Sequence, residues 1–255
     1  MILRDTNIRR ALKHKQRGFL MNPHRFGVAG GDPDFASVTA LFHADGADND
    51  TTSTDSSLSA RALTAFGNAK ISTTQSKWGG SSFAFDGAGD YWTAAHDAGL
   101  NLGSGLFAIE MFVYLNSLTG YQAFVSKKAT GQNFRAYQIY KSDAADNQKL
   151  YFTATANDTS WGIVLASAAN ALSVTTWHFI QVIRTTGNVW KLYVDAVEKA
   201  SSTTALTIAD TTNPLVLGIS LTSNDAPMNG YIDDFRITKG VSRTAVVPSA
   251  AFPNF

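Results

Sequence analysis

From Ser37 to Gly240 the chain is built of short runs in which apolar residues take every second position, cut at close intervals by polar turns. GLFAIEMFVYLNS is the clearest, with Phe107, Ile109, Met111, Val113 and Leu115 on one side. A period of two is that of a strand with one face buried, and a helix cannot satisfy it. SVTALFHA, SSFAFDG, DYWTAA, YQAFVSK, FRAYQIYK, KLYFTATA, LVLGIS and GYIDDFRITKG read the same way. WHFIQVIRTTGNVWKLYVDAVEKAS reads as two or three strands, with turns at Thr186-Gly187-Asn188 and Asp195-Ala196. Such a series predicts an all-β sandwich or barrel. Composition agrees, since only Glu110 and Glu198 supply glutamate, a good helix former. The longest helix expected outside the N-terminal segment is Ser59 to Ala65.

Residues 1–27 differ in kind. They hold seven Lys and Arg against the single acid Asp5, while the remainder holds fourteen against nineteen. Asp5-Thr6-Asn7 is a helix start signal, and Gly18 and Asn22-Pro23 are stops. The apolar stripe of Ile8, Ala11 and Leu12 is too thin for a free-standing helix. The expected organisation is a basic, partly helical arm and linker over 1–31, then one domain over 32–255. Arg4, Arg9, Arg10, Lys13, Lys15 and Arg17 interrupt the place of a secretory h-region, so no leader is expected. No apolar run reaches a membrane span, and with no cysteine there is neither a disulfide framework nor thiol chemistry. Nucleic-acid binding by the arm lacks interleaved aromatics or a known motif. Docking on an acidic protein surface is expected instead, through Arg9, Arg10, Lys13 and Arg17, with Ile8, Leu12, Phe19 and Leu20 buried on assembly.

WGGSSFAFDGAGDYWTAA, FAIEMFVYL, WHFIQVIRTTGNVWKLYVDAVEKAS and NGYIDDFRITKGVSR, in that order and spacing, resemble the concanavalin A-like, laminin-G-like jelly-roll family. The resemblance runs from Phe35 to Phe255. MNPHRFG, DPDFASVTALFHADGA and the ending ITKGVSR…PSAAFPNF resemble laminin-G-like proteins of tailed bacteriophages, in which an Asn-Pro-x-Arg-Phe lead precedes the jelly roll. The resemblance implies two packed antiparallel sheets, one concave, in a non-enzymatic virion module, a homo-oligomer or present in many copies in the particle: a tail, fibre or decoration protein. Host-surface glycan would be its outer partner and other virion proteins its inner ones. Purely structural cement and a polysaccharide-degrading enzyme are the alternatives. Two departures stand out: Asp55-Ser56-Ser57-Leu58-Ser59 where the family often has Asp-Ser-Ser-Gly-Asn, and Trp92 where it has an aliphatic residue.

Glycosidases of this fold place two carboxylates around the scissile bond. Glu110 and Glu198 lie in different strands, and alternation sends Asp233 and Asp234 to opposite faces, with Asp233 sharing the face of Phe235 and Ile237. No catalytic pair is expected. Glu110 is expected as a solvated or sheet-face residue, and His178 as structural. No cofactor is required, although some family members carry a structural Ca²⁺. FHADGADNDTTSTD gathers Asp45, Asp48, Asp50 and Asp55. It reads either as a solvent loop of Asx-turns or as a Ca²⁺ loop approaching the last strand, with Asp45 and Asp233 as the ligands. For glycan, Trp92, Tyr121 and Trp161 stand beside turns where a ring could stack on a sugar face, while Trp177 and Trp190 read as core.

Overall fold

The computed structural model describes residues 30–127, 136–157, 159–220 and 226–255. The arm residues Ile8, Arg9, Arg10, Leu12, Lys13, Arg17 and Phe19 lie outside the described residues. In the compact unit Gly31–Phe255 sixteen strands are described. They are β1 (Val38–Phe42), β2 (Thr52–Thr54), β3 (Ala62–Phe66), β4 (Lys70–Ser72), β5 (Ser82–Asp86), β6 (Tyr91–Ala94), β7 (Phe107–Leu115) and β8 (Gln122–Ser126). There follow β9 (Tyr137–Lys141), β10 (Leu150–Ala154), β11 (Ile163–Ala166), β12 (Trp177–Thr185), β13 (Val189–Val194), β14 (Val197–Thr203), β15 (Leu215–Leu217) and β16 (Asn229–Lys239). One sheet runs β14-β13-β12-β7-β16-β5-β4, with β1 also on β16; the other runs β11-β10-β9-β8-β15-β6-β3-β2. Every strand pairing is antiparallel.

The alternating residues of β7 fill the space between the sheets together with Phe83, Trp92, Phe124, Phe152 and Trp190. Trp92 is 0% exposed, its ring 4.7 Å from that of Phe83. It is a core residue, because Tyr91 and Thr93 take the other face of β6, and this removes it from the glycan candidates. The helix expected over Ser59–Ala65 is instead β3, paired on both edges, with Leu63 buried. Tertiary pairing overrides the helix-favouring Ala and Leu there.

The outer face of the first sheet is covered too. Val38, Leu41, Phe112, Phe179 and Phe252 form a second apolar cluster on it. The segment 241–255 straps across that face: the Gln181 amide donates to Thr244 O (3.2 Å), and Phe252 packs edge-on against Phe179. Beneath the strap Glu110 is buried, not solvated. Its Oε2 accepts from Arg236 Nε (2.7 Å) and Nη2 (2.6 Å), and its Oε1 from Gln181 Nε2 (2.8 Å). Arg236 also reaches Asp32 Oδ2 (3.0 Å), and Arg243 grips Asp32 with both terminal nitrogens (2.6 and 2.7 Å). Burial raises the Asp32 carboxyl, but the Arg243 hydrogen bond, the Asp34 amide and the two guanidinium charges outweigh it and hold it below the usual range.

Strand β16 carries the most consequential irregularity. Its residues Asn229–Ile232 pair with β5, while Phe235–Thr238 pair with β1 on the same edge. Between them the register on β7 shifts, and Asp234 takes a left-handed φ of 49°. This bulge overturns the simple alternation. Ile232 and Phe235 both face the main core, so Asp233 lies on the face opposite Phe235, level with Phe112. Asp234 serves that same outer side, accepting from Phe252 N at 2.7 Å.

Candidate functional site

Two groups of sequence candidates resolve into structural staples. Asp233 Oδ2 accepts from Lys77 N (2.7 Å) and Trp78 N (3.0 Å), pinning that turn into the gap between β5 and β1. Burial, with the Asp234 charge beside it, pushes its carboxyl up to about 7 against the downward pull of those amides. In the acidic loop, Asp48 Oδ1 accepts from Thr73 N, Asp50 Oδ2 from Ala47 N, and Asp55 Oδ1 from Leu41 N and Ser57 N. Only the Asp55–Ser57 contact is an Asx-turn; Asp48 and Asp55 also tie the loop to Thr73 and to strand β1. Ca²⁺ needs six or more oxygens. Among the described residues no group of three or more His, Cys, Asp or Glu side chains could hold a metal ion. Asp45 and Asp233 belong to no such group, and Asp233 Oδ2 is already spent on Lys77 N and Trp78 N.

Glu198 and Asp195 are engaged as well. Glu198 pairs with Lys191 at 2.8 Å. A Ser–His–Asp array that the sequence did not single out appears at Ser173, His178 and Asp195. Ser173 Oγ lies 2.9 Å from His178 Nε2, and His178 Nδ1 lies 2.7 Å from Asp195 Oδ2. However, the Ser173 backbone N–H donates to the same Nε2 at 3.0 Å, and Asp195 Oδ1 holds Phe179 N at 2.8 Å. The ring nitrogen that would act as base is turned to the backbone of its own loop, so the array fastens two turns together.

Tyr121 is different. It is 46% exposed and borders a cleft of about 540 Å³ with Ser117, Thr119, Gly87, Pro227 and Asn229. The loop 116–121 that carries it is fixed from below. Lys141 Nζ donates to Leu118 O (2.6 Å), Gly120 O (2.8 Å) and Ser142 O (2.7 Å), so all three ammonium protons meet carbonyls. Burial lowers that ammonium to about 8. Gln122 Nε2 donates to Ser117 O and Thr119 O, while its Oε1 accepts from Asn229 N at 2.9 Å. Behind Tyr121 stand Tyr140 (centroids 6.3 Å apart) and, stacked on it at 5.0 Å, Tyr151. A second, smaller cleft of about 390 Å³ with Asn116, Asp86, Lys70 and Tyr231 shares Asn229 as a wall, and the Asn116 and Asn229 amides are joined at 3.1 Å. The result is a groove braced from beneath, with an exposed aromatic ring beside hydroxyls and amides, able to stack on a pyranose face and hydrogen-bond its hydroxyls. Trp161 is half-buried before β11 and lines neither cleft.

With that geometry in place, the family comparison is decisive for the fold. The Laminin_G_3 model, described as the concanavalin A-like lectin/glucanases superfamily, matches residues 86–245. The chain belongs to that superfamily. Among solved structures it is similar to the botulinum neurotoxin serotype D binding domain (TM-score 0.63, 13% identity, covering 84% of this chain and 51% of that one). It is also similar to the binding domain of Paraclostridial Mosquitocidal Protein 1 (TM-score 0.63, 13% identity, 83% and 50%). A third is domain 4 of AbnA, a GH43 extracellular arabinanase from Geobacillus stearothermophilus in complex with arabinotriose (TM-score 0.59, 17% identity, 82% and 95%). The chain thus spans about half the length of the two toxin domains. At these identities the likeness is one of fold. No curated protein matches in sequence.

Proposed function

We propose that this chain is a non-enzymatic virion protein of a tailed bacteriophage whose jelly roll binds host-surface glycan at the Tyr121 cleft. One observation carries the reading: an exposed aromatic ring set on a loop whose carbonyls are locked by Lys141 and Gln122. Locking the loop in advance lowers the ordering cost of holding a flexible ligand. The superfamily fold and the arabinotriose complex of the arabinanase domain support sugar as the ligand class. Glu110 and Glu198, each spent on a cation, support a role without glycosidic chemistry. The virion assignment is supported by the phage-like terminal segments and the basic charge of residues 1–27. In this role the arm 1–31 docks on an acidic particle protein, and the domain projects outward in multiple copies.

A glycan array probed with the full chain and with Tyr121→Ala tests the binding. Signal lost in the variant supports it, and complete silence from the wild type favours purely structural cement. Deleting residues 1–27 tests the anchor, because normal incorporation into particles would refute it. A reducing-sugar assay on host capsule or lipopolysaccharide tests the absence of hydrolysis.

A further inference from the structure

A second polar cleft, also about 540 Å³, opens between the turn after β1 and strands β2 and β3. His43 and Asp45 line it, with the hydroxyls of Thr52, Thr54 and Thr64 and the amide of Asn254. Two features set it apart from ordinary surface. The first is a fixed imidazole. His43 Nδ1 sits 2.5 Å from Asp234 Oδ1, and Asp234 is itself held by Phe252 N, so the ring cannot turn. Its Nε2 has no protein partner among the described residues. The second is an uncommitted acid. Asp48, Asp50 and Asp55 of the same loop all hold backbone amides, whereas Asp45 makes no hydrogen bond to a described residue and packs its carboxylate against Gly79. Gly79, at φ +64°, allows this approach, since a Cβ there would lie 1.8 Å from Asp45 Oδ1. Between His43 and Asp45, Ala44 adopts φ 58°. A left-handed alanine costs energy and persists only where the surroundings hold it; here it sets both side chains on one cleft.

We infer that this cleft is a second ligand site, taking a neutral pyranose through a vicinal diol held between His43 Nε2 and the Asp45 carboxylate. A hydroxyl both donates and accepts, so it suits the carboxylate and either protonation state of the imidazole. The hydroxyl-bearing walls extend the same chemistry. Among the described residues no Phe, Tyr or Trp lines the cleft, so recognition is by hydrogen bonds. An acidic sugar is disfavoured, because Asp45 lines the cleft and the Asp234 carboxylate on His43 Nδ1 offsets an imidazolium charge. The site is independent of Tyr121.

The test is titration of the full chain, labelled with ¹⁵N-histidine, with maltotriose, cellotriose and xylotriose as neutral probes and trigalacturonate as the acidic one. A saturable shift of the His43 Nε2 resonance with at least one neutral probe is expected, unchanged in Tyr121→Ala. Asp45→Asn, and Thr64→Trp at an exposed wall position, should each weaken it at least tenfold while the melting transition is retained. Silence from all three neutral probes overturns the inference. So does an equal response to trigalacturonate, or undiminished binding in the folded Thr64→Trp protein.

Discussion

Replacing Asp233 by Asn should flatten the dependence of stability on pH. Asp233 is 0% exposed, its Oδ1 has no hydrogen-bond partner among the described residues, and its carboxyl is pushed from an ordinary 3.8 up to about 7. The sign follows from proton binding. Between about pH 4 and pH 7 the folded chain holds a proton on Asp233 that the unfolded chain has released, so stability falls as pH rises through that window. The full shift, about 3 pKa units at ~1.4 kcal/mol each, is worth about 4 kcal/mol, of which about 3 kcal/mol is lost between pH 5 and pH 8. His43 adds a loss of the same sign. Burial alone would lower it, but the Asp234 hydrogen bond and the charges of Asp234, Asp45 and Asp233 raise it above 6.5, so its contribution disappears as pH climbs past that raised value. In Asp233→Asn the amide oxygen still accepts from Lys77 N and Trp78 N, but no charge has to be buried. Urea denaturation at pH 5 and pH 8 is the assay. Wild type should lose about 3 kcal/mol or more, roughly two orders of magnitude in the unfolding equilibrium, and the variant only the share of His43 and Asp45. Parallel losses in the two proteins would refute the assignment of the burial cost to Asp233.

Three further outcomes are expected. Glu110→Ala leaves the Arg236 guanidinium short of its partner beneath the strap, which should cost about 3–5 kcal/mol in denaturant titrations. Lys141→Met strips the shared donor from Leu118 O, Gly120 O and Ser142 O. It should destabilise by about 1–3 kcal/mol and weaken array signal at the Tyr121 cleft although Tyr121 itself is intact. Phe252→Ala removes the ring between Phe179 and the Arg236 guanidinium (3.8 Å). About 3 kcal/mol should be lost, with proteolytic cleavage rates rising first within 241–255.

The long strands were legible because alternation of apolar residues is a direct projection of the pleat. β7, β12 and β13 appear in the sequence almost as they stand in the sheet. β2 and β3 were not, since TST is polar throughout, ALTAF exposes Ala62 and Phe66 beside Thr64, and both are set by pairing, β2 on β3 and β3 on β6, rather than marked by their own pattern. Trp92 could have been assigned inward from its alternation with Tyr91 and Thr93; its place beside a turn misled. Asp233 and Asp234 illustrate a deeper limit. An extra residue shows only as a change of phase, Ile232 and Phe235 standing three apart, and Tyr231, in phase with Phe235, hides it; Asp also tolerates the left-handed region well. Tyr121 was visible, but the supports that stiffen its loop were not. Lys141 lies twenty residues downstream, and a strand lysine reads as solvent-facing until its three carbonyl partners are known.

The change of neighbour along β16 also governs how the first sheet can form. Without residues 229–239 that sheet is three unconnected pieces: the block β14-β13-β12-β7, the hairpin β4-β5, and β1 alone. All three are spliced by one late strand, whose partners lie up to two hundred residues earlier in the chain. Loop closure of that order must precede any reward from pairing, so folding should be slow and strongly all-or-none. On a ribosome, the first sheet cannot assemble until Lys239 has cleared the exit tunnel.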